Sequence, residues 1–141
     1  MNDFTQTLIT ELRSHDGKVT QGPMAGTPLL ILTTTGARTG EPRTTVVDYS
    51  RDGDSYLIAA SKGGAPTNPA WYHNLVAHPR VTVEVDGERF EAVARVATGA
   101  ERDRLWDRHV ETIPLFGDYP PRTTRVIPMV VLDRASRPNG S

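Results

Sequence analysis

The sequence contains no cysteine in its 141 residues. Disulfide bonds, thiolate catalysis, iron–sulfur clusters and cysteine-bound zinc are therefore excluded. Lysine is nearly absent as well, since Lys18 and Lys62 are the only lysines and every other basic side chain is arginine. The formal net charge is −1, so the basic excess typical of nucleic-acid-binding domains is missing.

Long apolar segments are also missing. No run approaches the roughly 20 residues of a membrane-spanning helix, and the first residues lack the basic and apolar regions of a signal peptide. We therefore expect a single domain in the cytoplasm. Peripheral contact of the N-terminal helix with the inner membrane face is the alternative, although the polar face of that helix lacks the Lys/Arg richness such contact requires.

The N-terminal region, residues 1–28, predicts a helix followed by a linker. Asn2 or Asp3 can cap the helix, and Gly17 can end it. Its apolar side chains recur on one face, as expected for a helix that covers the core: Phe4, Leu8, Ile9 and Leu12.

Residues 29–134 predict a domain of the α+β class that is mainly β, followed by a flexible tail at 135–141. Six segments have the pattern of strands, and the turns 51–54 and 86–87 are hairpin signals. The first segment is almost continuously apolar, so we expect it to be central, whereas Pro128 places the last at an edge or a bulge. The spacing predicts a small six-stranded antiparallel barrel. The segments are 29–35, 43–49, 55–60, 81–85, 89–96 and 125–132.

Two further helices interrupt these strands, which gives about three helices in all. The first is predicted to have Asn68 as its N-cap and Pro69 as its first residue. The second is predicted to open with a capping box formed by Thr98 and Glu101. Its apolar positions extend through Leu105, Trp106, His109 and Val110.

Two glycine-containing loops carry cations, and each follows a strand. In the first, Gly36 and Gly40 permit a tight turn with exposed amides, flanked by Arg38 and Arg43. In the second, Lys62 stands beside Gly63 and Gly64, a combination suited to an anionic ligand. The helix that begins after this loop directs its free N–H groups toward the same region. These features predict a groove for a planar cofactor with a phosphate-bearing tail.

Other kinds of site find no support. Neither the Walker spacing nor G-x-G-x-x-G after a strand is present, so binding of nucleoside triphosphates or of dinucleotides in the Rossmann manner is not expected. No metal site is predicted, because the histidines have no metal-ligand spacing: His15, His73, His78 and His109.

Three segments together resemble the deazaflavin-dependent nitroreductase family: Thr34–Arg43, Ala60–Gly64 and Asn68–Leu75. The similarity covers roughly Leu29 to Leu132. It implies a split β-barrel of the pyridoxamine-phosphate-oxidase and FMN-binding type, and a family found mainly in actinobacteria. The implied cofactor is coenzyme F-420, an 8-hydroxy-5-deazaflavin on a phospholactyl-oligoglutamate tail.

The resemblance also implies roles for individual residues. Arg38 and Arg43 would hold the tail phosphate and carboxylates, in a wall that includes Ala37, Thr39, Thr44, Thr45 and Val46. The deazaflavin would lie along Ala59, Ala60, Ser61, Lys62 and Gly63. The other side would be closed by Ala70, Trp71, Tyr72, His73 and Asn74, and the 113–119 loop with Phe116 would reach over the ring.

The activity implied by the resemblance is hydride transfer from reduced F-420 to a small organic acceptor such as a quinone or a nitro compound. Ser61 and Tyr119 are the hydroxyl donors expected to stabilise the charge that the acceptor gains. Two alternatives stay open: an FMN-binding oxidoreductase of the same barrel type, and a non-catalytic carrier of a cofactor or lipid. Both a monomer and a homodimer are compatible with the sequence.

Overall fold

The computed structural model describes residues 3–15, 17–18, 27–60, 68–113 and 127–135. For residues 3 and 4 it describes the backbone alone. Within these residues there are three helices and seven strands. In chain order they are α1 (Asp3–Ser14), β1 (Leu29–Thr35), β2 (Pro42–Asp48), β3 (Ser50–Asp52), β4 (Ser55–Ala59), α2 (Ala70–Ala77), β5 (Arg80–Val85), β6 (Glu88–Val96), α3 (Gly99–Thr112) and β7 (Met129–Arg134).

The strands form one antiparallel sheet in the order β2-β1-β5-β6-β7-β4-β3. Strands β2 and β3 lie at opposite edges of this order, yet Tyr49 alone separates them in the chain. The sheet must therefore curl until its two edges approach, which produces a barrel-like body. This confirms the predicted mainly β antiparallel fold and the central position of β1.

The sheet has seven described strands rather than the predicted six because β3 is a separate short strand. Strand β3 pairs with β4, whereas β2 pairs with β1, and the Tyr49 N–H extends that second pairing by donating to the Pro28 carbonyl at 3.1 Å. Both predicted hairpin turns are confirmed. Asp86 and Gly87 have φ values of 51° and 79°, and Gly53 has 60°, the left-handed conformations that tight hairpins require.

The inner face of the curled sheet holds the main apolar core. Helix α1 covers the outer face of β1 and β2, where Leu8, Ile9 and Leu12 pack against Leu29 and Ile31, as the predicted apolar face requires. Helix α3 covers the other side of β4 and β7. The principal members of the inner core are Leu30, Leu32, Ile58, Leu75, Val83, Val130 and Leu132.

The predicted edge position of the last strand is wrong. Strand β7 lies between β6 and β4, and Pro128 immediately precedes it. The missing N–H of proline therefore interrupts no ladder inside the strand. The Pro128 carbonyl accepts a hydrogen bond from the Ala60 N–H at 3.0 Å.

Both predicted caps also need correction. The N-cap of α2 is Pro69, with φ −67° and ψ 158°, rather than Asn68. Thr98 is the N-cap of α3, but its side chain makes no capping hydrogen bond. The Glu101 carboxylate instead accepts two hydrogen bonds from Arg95, at 2.7 and 3.0 Å, because a charge-assisted bidentate pair is stronger than a bond to one backbone amide.

Candidate functional site

The loop between β1 and β2 is a tight turn that faces α2. The Gly40 N–H donates to the Gly36 carbonyl at 2.9 Å, and the Gly36 N–H donates to the Glu41 carbonyl at 2.8 Å. Gly40 has φ +71°, which favours glycine. A Cβ on Gly36 would lie 2.7 Å from Thr39 Oγ1 and 3.2 Å from the Glu41 carbonyl oxygen, so a side chain there would require these groups to shift.

The backbone amides of this loop are largely committed to the protein itself. Besides the two glycine amides, the Ala37 N–H donates to Asn74 Oδ1 at 3.0 Å. The Glu41 N–H donates to Thr39 Oγ1 at 3.2 Å. The prediction that glycine-loop amides are exposed for a ligand is therefore wrong for these four groups. At this loop, recognition of an anion would therefore rest mainly on side chains.

A cavity of about 540 Å³ lies between this loop, β2 and the first half of α2. Arg38 and Arg43 line it, and both residues are exposed. Among the described residues Arg38 makes no ion pair, whereas Arg43 Nη2 lies 3.6 Å from Glu41 Oε2. The described residues that line it are Thr34, Gly36, Ala37, Arg38, Thr39, Arg43, Thr44, Thr45, Ala70, Trp71, His73 and Asn74.

Strand alternation explains the contribution of Arg43 and Thr45 to this cavity, although Thr44 between them lines it as well. Arg43 pairs with Thr34 across the β1–β2 ladder, and Thr45 pairs with Leu32, so these side chains share the inner face. Val46 pairs with Ile31 and packs on the opposite face beneath α1. The structure therefore places Val46 away from the cavity.

Other predicted site residues also lie elsewhere. Ala59 packs in the cluster beneath α3, and Ala60 is fully buried beside Pro128. Tyr72 packs against the inner core and lines a second cavity of about 390 Å³. Five predicted site residues lie outside the described residues: Ser61, Lys62, Gly63, Phe116 and Tyr119.

Helix α2 presents its N-terminal end to the cavity. Ala70 and Trp71 belong to its first turn, which contains no acidic residue. The N-terminal end of a helix carries a partial positive charge, which favours an anion. Two lining residues, Thr34 and Gly36, were not predicted as ligands. Thr34 lies two residues after Leu32 and four after Leu30 in β1, so strand alternation could have indicated that it shares their inward face.

A buried pair outside the cavity joins α3 to β3. Ser50 and His109 are 1% and 0% exposed, and Ser50 Oγ lies 2.7 Å from His109 Nδ1. Burial lowers the pKa of His109 to about 4, because a charged imidazole would lose its hydration. The same effect raises the pKa of the Asp48 carboxyl at the end of β2.

Among the described residues, no group of three or more His, Cys, Asp or Glu side chains could hold a metal ion. No helix in the described part of the chain is long and apolar enough to cross a membrane.

Comparisons with known proteins place these features in context. The family model described as "F420H(2)-dependent quinone reductase" matches residues 5–134. An F420H(2)-dependent quinone reductase of Mycobacterium tuberculosis (strain ATCC 25618 / H37Rv) is 45% identical over 125 residues, covering 86% of this chain and 84% of that protein.

The chain is also similar to several solved structures. A structure described as an F420-H2 dependent reductase has 34% identity and a TM-score of 0.70, covering 75% of this chain and 94% of its own. Another, described as a domain-swapped dimer, has 32% identity and a TM-score of 0.71, covering 91% and 93%. A pyridoxamine 5'-phosphate oxidase-type protein of Listeria innocua is similar in fold alone, with a TM-score of 0.54 at 10% identity, covering 95% of each chain. The predicted split-barrel fold is confirmed.

Proposed function

This chain belongs to the F420H(2)-dependent quinone reductase family, and we propose that it holds the tail of coenzyme F-420 in the cavity between the β1–β2 loop and α2. The activity of the chain is that of an oxidoreductase, with F-420 as cofactor and a quinone-type compound as acceptor. The observation that carries the proposed tail site is the placement of two exposed arginines and a helix N-terminus around one cavity.

The chemistry of the cavity fits the tail. A phospholactyl-oligoglutamate chain carries a phosphate and several carboxylates, and arginine is the side chain best suited to bind both groups. A volume of about 540 Å³ also falls within the usual range of small-molecule sites, roughly 300–1,000 Å³. The described lining contains no Asp or Glu side chain, although Glu41 stands beside Arg43 at its rim.

Each part of the cavity would have its own task. Arg38 and Arg43 would bind the tail anions, and the first turn of α2 would add its positive dipole. The half-buried indole of Trp71 provides a flat apolar wall beside the cations. When bound, the deazaflavin supplies the hydride, so no nucleophile or metal is required of the protein.

Acceptor reduction needs a hydrogen-bond donor near the oxygen that gains charge. We assign this task to the hydroxyls of Ser61 and Tyr119, which follow β4 and precede β7 in the chain. Support for the assignment comes from the family motif rather than from observed contacts.

An anaerobic assay tests the proposed function directly. The protein is mixed with reduced F-420 and a water-soluble quinone, and the return of F-420 absorbance is followed. We expect quinone-dependent oxidation of the coenzyme at a rate proportional to protein concentration. Tight binding of reduced F-420 without any oxidation would indicate a carrier instead, and turnover with reduced FMN alone would reject the cofactor assignment.

A further inference from the structure

One side chain links three parts of the tail cavity. Asn74, on α2, accepts a hydrogen bond at Oδ1 from the Ala37 N–H at 3.0 Å. Its Nδ2 donates to Thr34 Oγ1 at 3.1 Å. The same amide therefore joins helix α2, strand β1 and the loop that carries Arg38.

The anchor on β1 is rigid. Thr34 is 2% exposed, it lies inside the β1–β2 ladder opposite Arg43, and its hydroxyl lies 3.5 Å from the Arg43 carbonyl. With one end held by this buried hydroxyl, the Asn74 amide cannot turn without breaking a hydrogen bond. Its oxygen is thereby aimed at the loop.

The two arginines of the cavity depend on Asn74 to different degrees. Arg43 belongs to β2, where the paired strand β1 fixes its backbone. Arg38 lies outside the strands, directly after Ala37, whose amide is held by Asn74. Loss of the Asn74 contact would thus remove the tie between α2 and the backbone next to Arg38, while the bonds within the turn stay and the backbone of Arg43 keeps its place.

We propose that Asn74 is a positioning residue for the F-420 tail, which holds Arg38 at the cavity by fixing the Ala37 amide to α2. This inference rests on the proposed function, since it takes the tail to be the ligand of the arginines. It differs from the sequence-based expectation that Asn74 touches the cofactor, because it assigns Asn74 an effect through Arg38, with its amide oxygen and nitrogen each bound to the protein.

Two probes distinguish positioning from direct contact. Fluorescence titrations compare F-420 with the deazaflavin fragment that lacks the phospholactyl-glutamate tail. We expect Asn74→Leu, which keeps the approximate size but removes both hydrogen bonds, to weaken F-420 binding about five- to tenfold. Binding of the tail-less fragment should change less than about twofold. Val76→Ala, on the exposed face of the same helix, serves as the control and should affect neither probe.

A double-mutant cycle tests the link to Arg38. If Asn74 acts through Arg38, the losses caused by Asn74→Leu and Arg38→Ala are not additive, whereas those of Asn74→Leu and Arg43→Ala add. Amide hydrogen exchange in the free protein gives a readout without any ligand. The Ala37 amide should exchange faster in Asn74→Leu, with little change in the β1 amides.

Several outcomes overturn the inference. Equal weakening of both probes would make Asn74 a direct contact to the ring, and additive losses with Arg38→Ala would remove the proposed link. Thr34→Val, which removes the anchor together with the long 3.5 Å bond to the Arg43 carbonyl, repeats the test if the Asn74 variant does not fold, and unchanged F-420 affinity there counts against positioning. If Arg38→Ala and Arg43→Ala both leave F-420 affinity unchanged, the tail site itself fails together with the inference.

Discussion

Replacement of Arg43 by alanine tests the tail site most directly. Arg43 lines the cavity from the inner face of β2, where the ladder keeps the backbone in place after truncation. We expect Arg43→Ala to weaken F-420 binding while leaving the fold intact, because more than half of the side chain is exposed.

The magnitude follows from the exposure of the side chain. A hydrogen bond to a charged group contributes about 1.5–3 kcal/mol where water is excluded. The Arg43 side chain is 56% exposed, so solvent and salt screen part of this interaction. We therefore expect a loss of roughly 1–1.5 kcal/mol at low ionic strength, which corresponds to about a five- to tenfold higher Kd.

The assay is a fluorescence titration of F-420 at low and at high salt, with FMN and the tail-less deazaflavin fragment as comparison ligands. The difference between wild type and Arg43→Ala should shrink as salt rises. Arg89→Ala is a matched control, because Arg89 is also exposed but lines a separate cavity beside α1. It removes the same charge from the protein without touching the tail site.

Equal losses for F-420 and for the tail-less fragment would refute the assignment of Arg43 to the tail. An equal loss in Arg89→Ala would show that the effect is one of net charge rather than of a specific contact.

Three further predictions concern neighbouring charge, pH and catalysis. Glu41→Gln should strengthen F-420 binding about two- to threefold at low salt, because the Glu41 carboxylate lies 3.6 Å from Arg43 Nη2 and competes with the tail; unchanged affinity in titrations would contradict this. Burial lowers the pKa of His109 to about 4, against an ordinary value of 6.5, so the unfolded state binds more protons than the folded state between these pH values. Urea denaturation should therefore show about 2 kcal/mol less stability at pH 5 than at pH 7.5. His109→Gln should abolish this difference. Tyr119→Phe should lower quinone turnover about tenfold with unchanged F-420 affinity, and wild-type rates would remove Tyr119 from catalysis.

Much of the fold could be predicted from sequence because its determinants are local. The apolar run 29–35, the Asp86–Gly87 turn and the apolar face of α1 each act within a few residues, so their patterns survive in the sequence. The predicted barrel follows from several such hairpins. The place of β7 in the sheet could not be predicted, since it depends on which strands pair across long stretches of chain rather than on Pro128 alone.

The candidate site divides in the same way. The two glycine-containing loops and the helix that begins after the second predicted an anion-binding groove. The three segments that include them resemble the family to which the chain belongs. Strand alternation could also have separated Arg43 from Val46, but the predicted wall included both, and the structure corrected this. The anion-binding groove needs only residue type and spacing, whereas the family came from the resemblance of three segments to known proteins.

Only the tertiary structure decided which partner each polar group takes. Asn74 meets the Ala37 amide and the Thr34 hydroxyl across separations of 37 and 40 residues, and Glu101 takes Arg95 instead of its own helix terminus. A sequence states how many donors and acceptors a side chain carries. The choice among partners belongs to the fold, because a hydrogen bond requires approach within about 3 Å and that proximity is set by how the strands and helices pack.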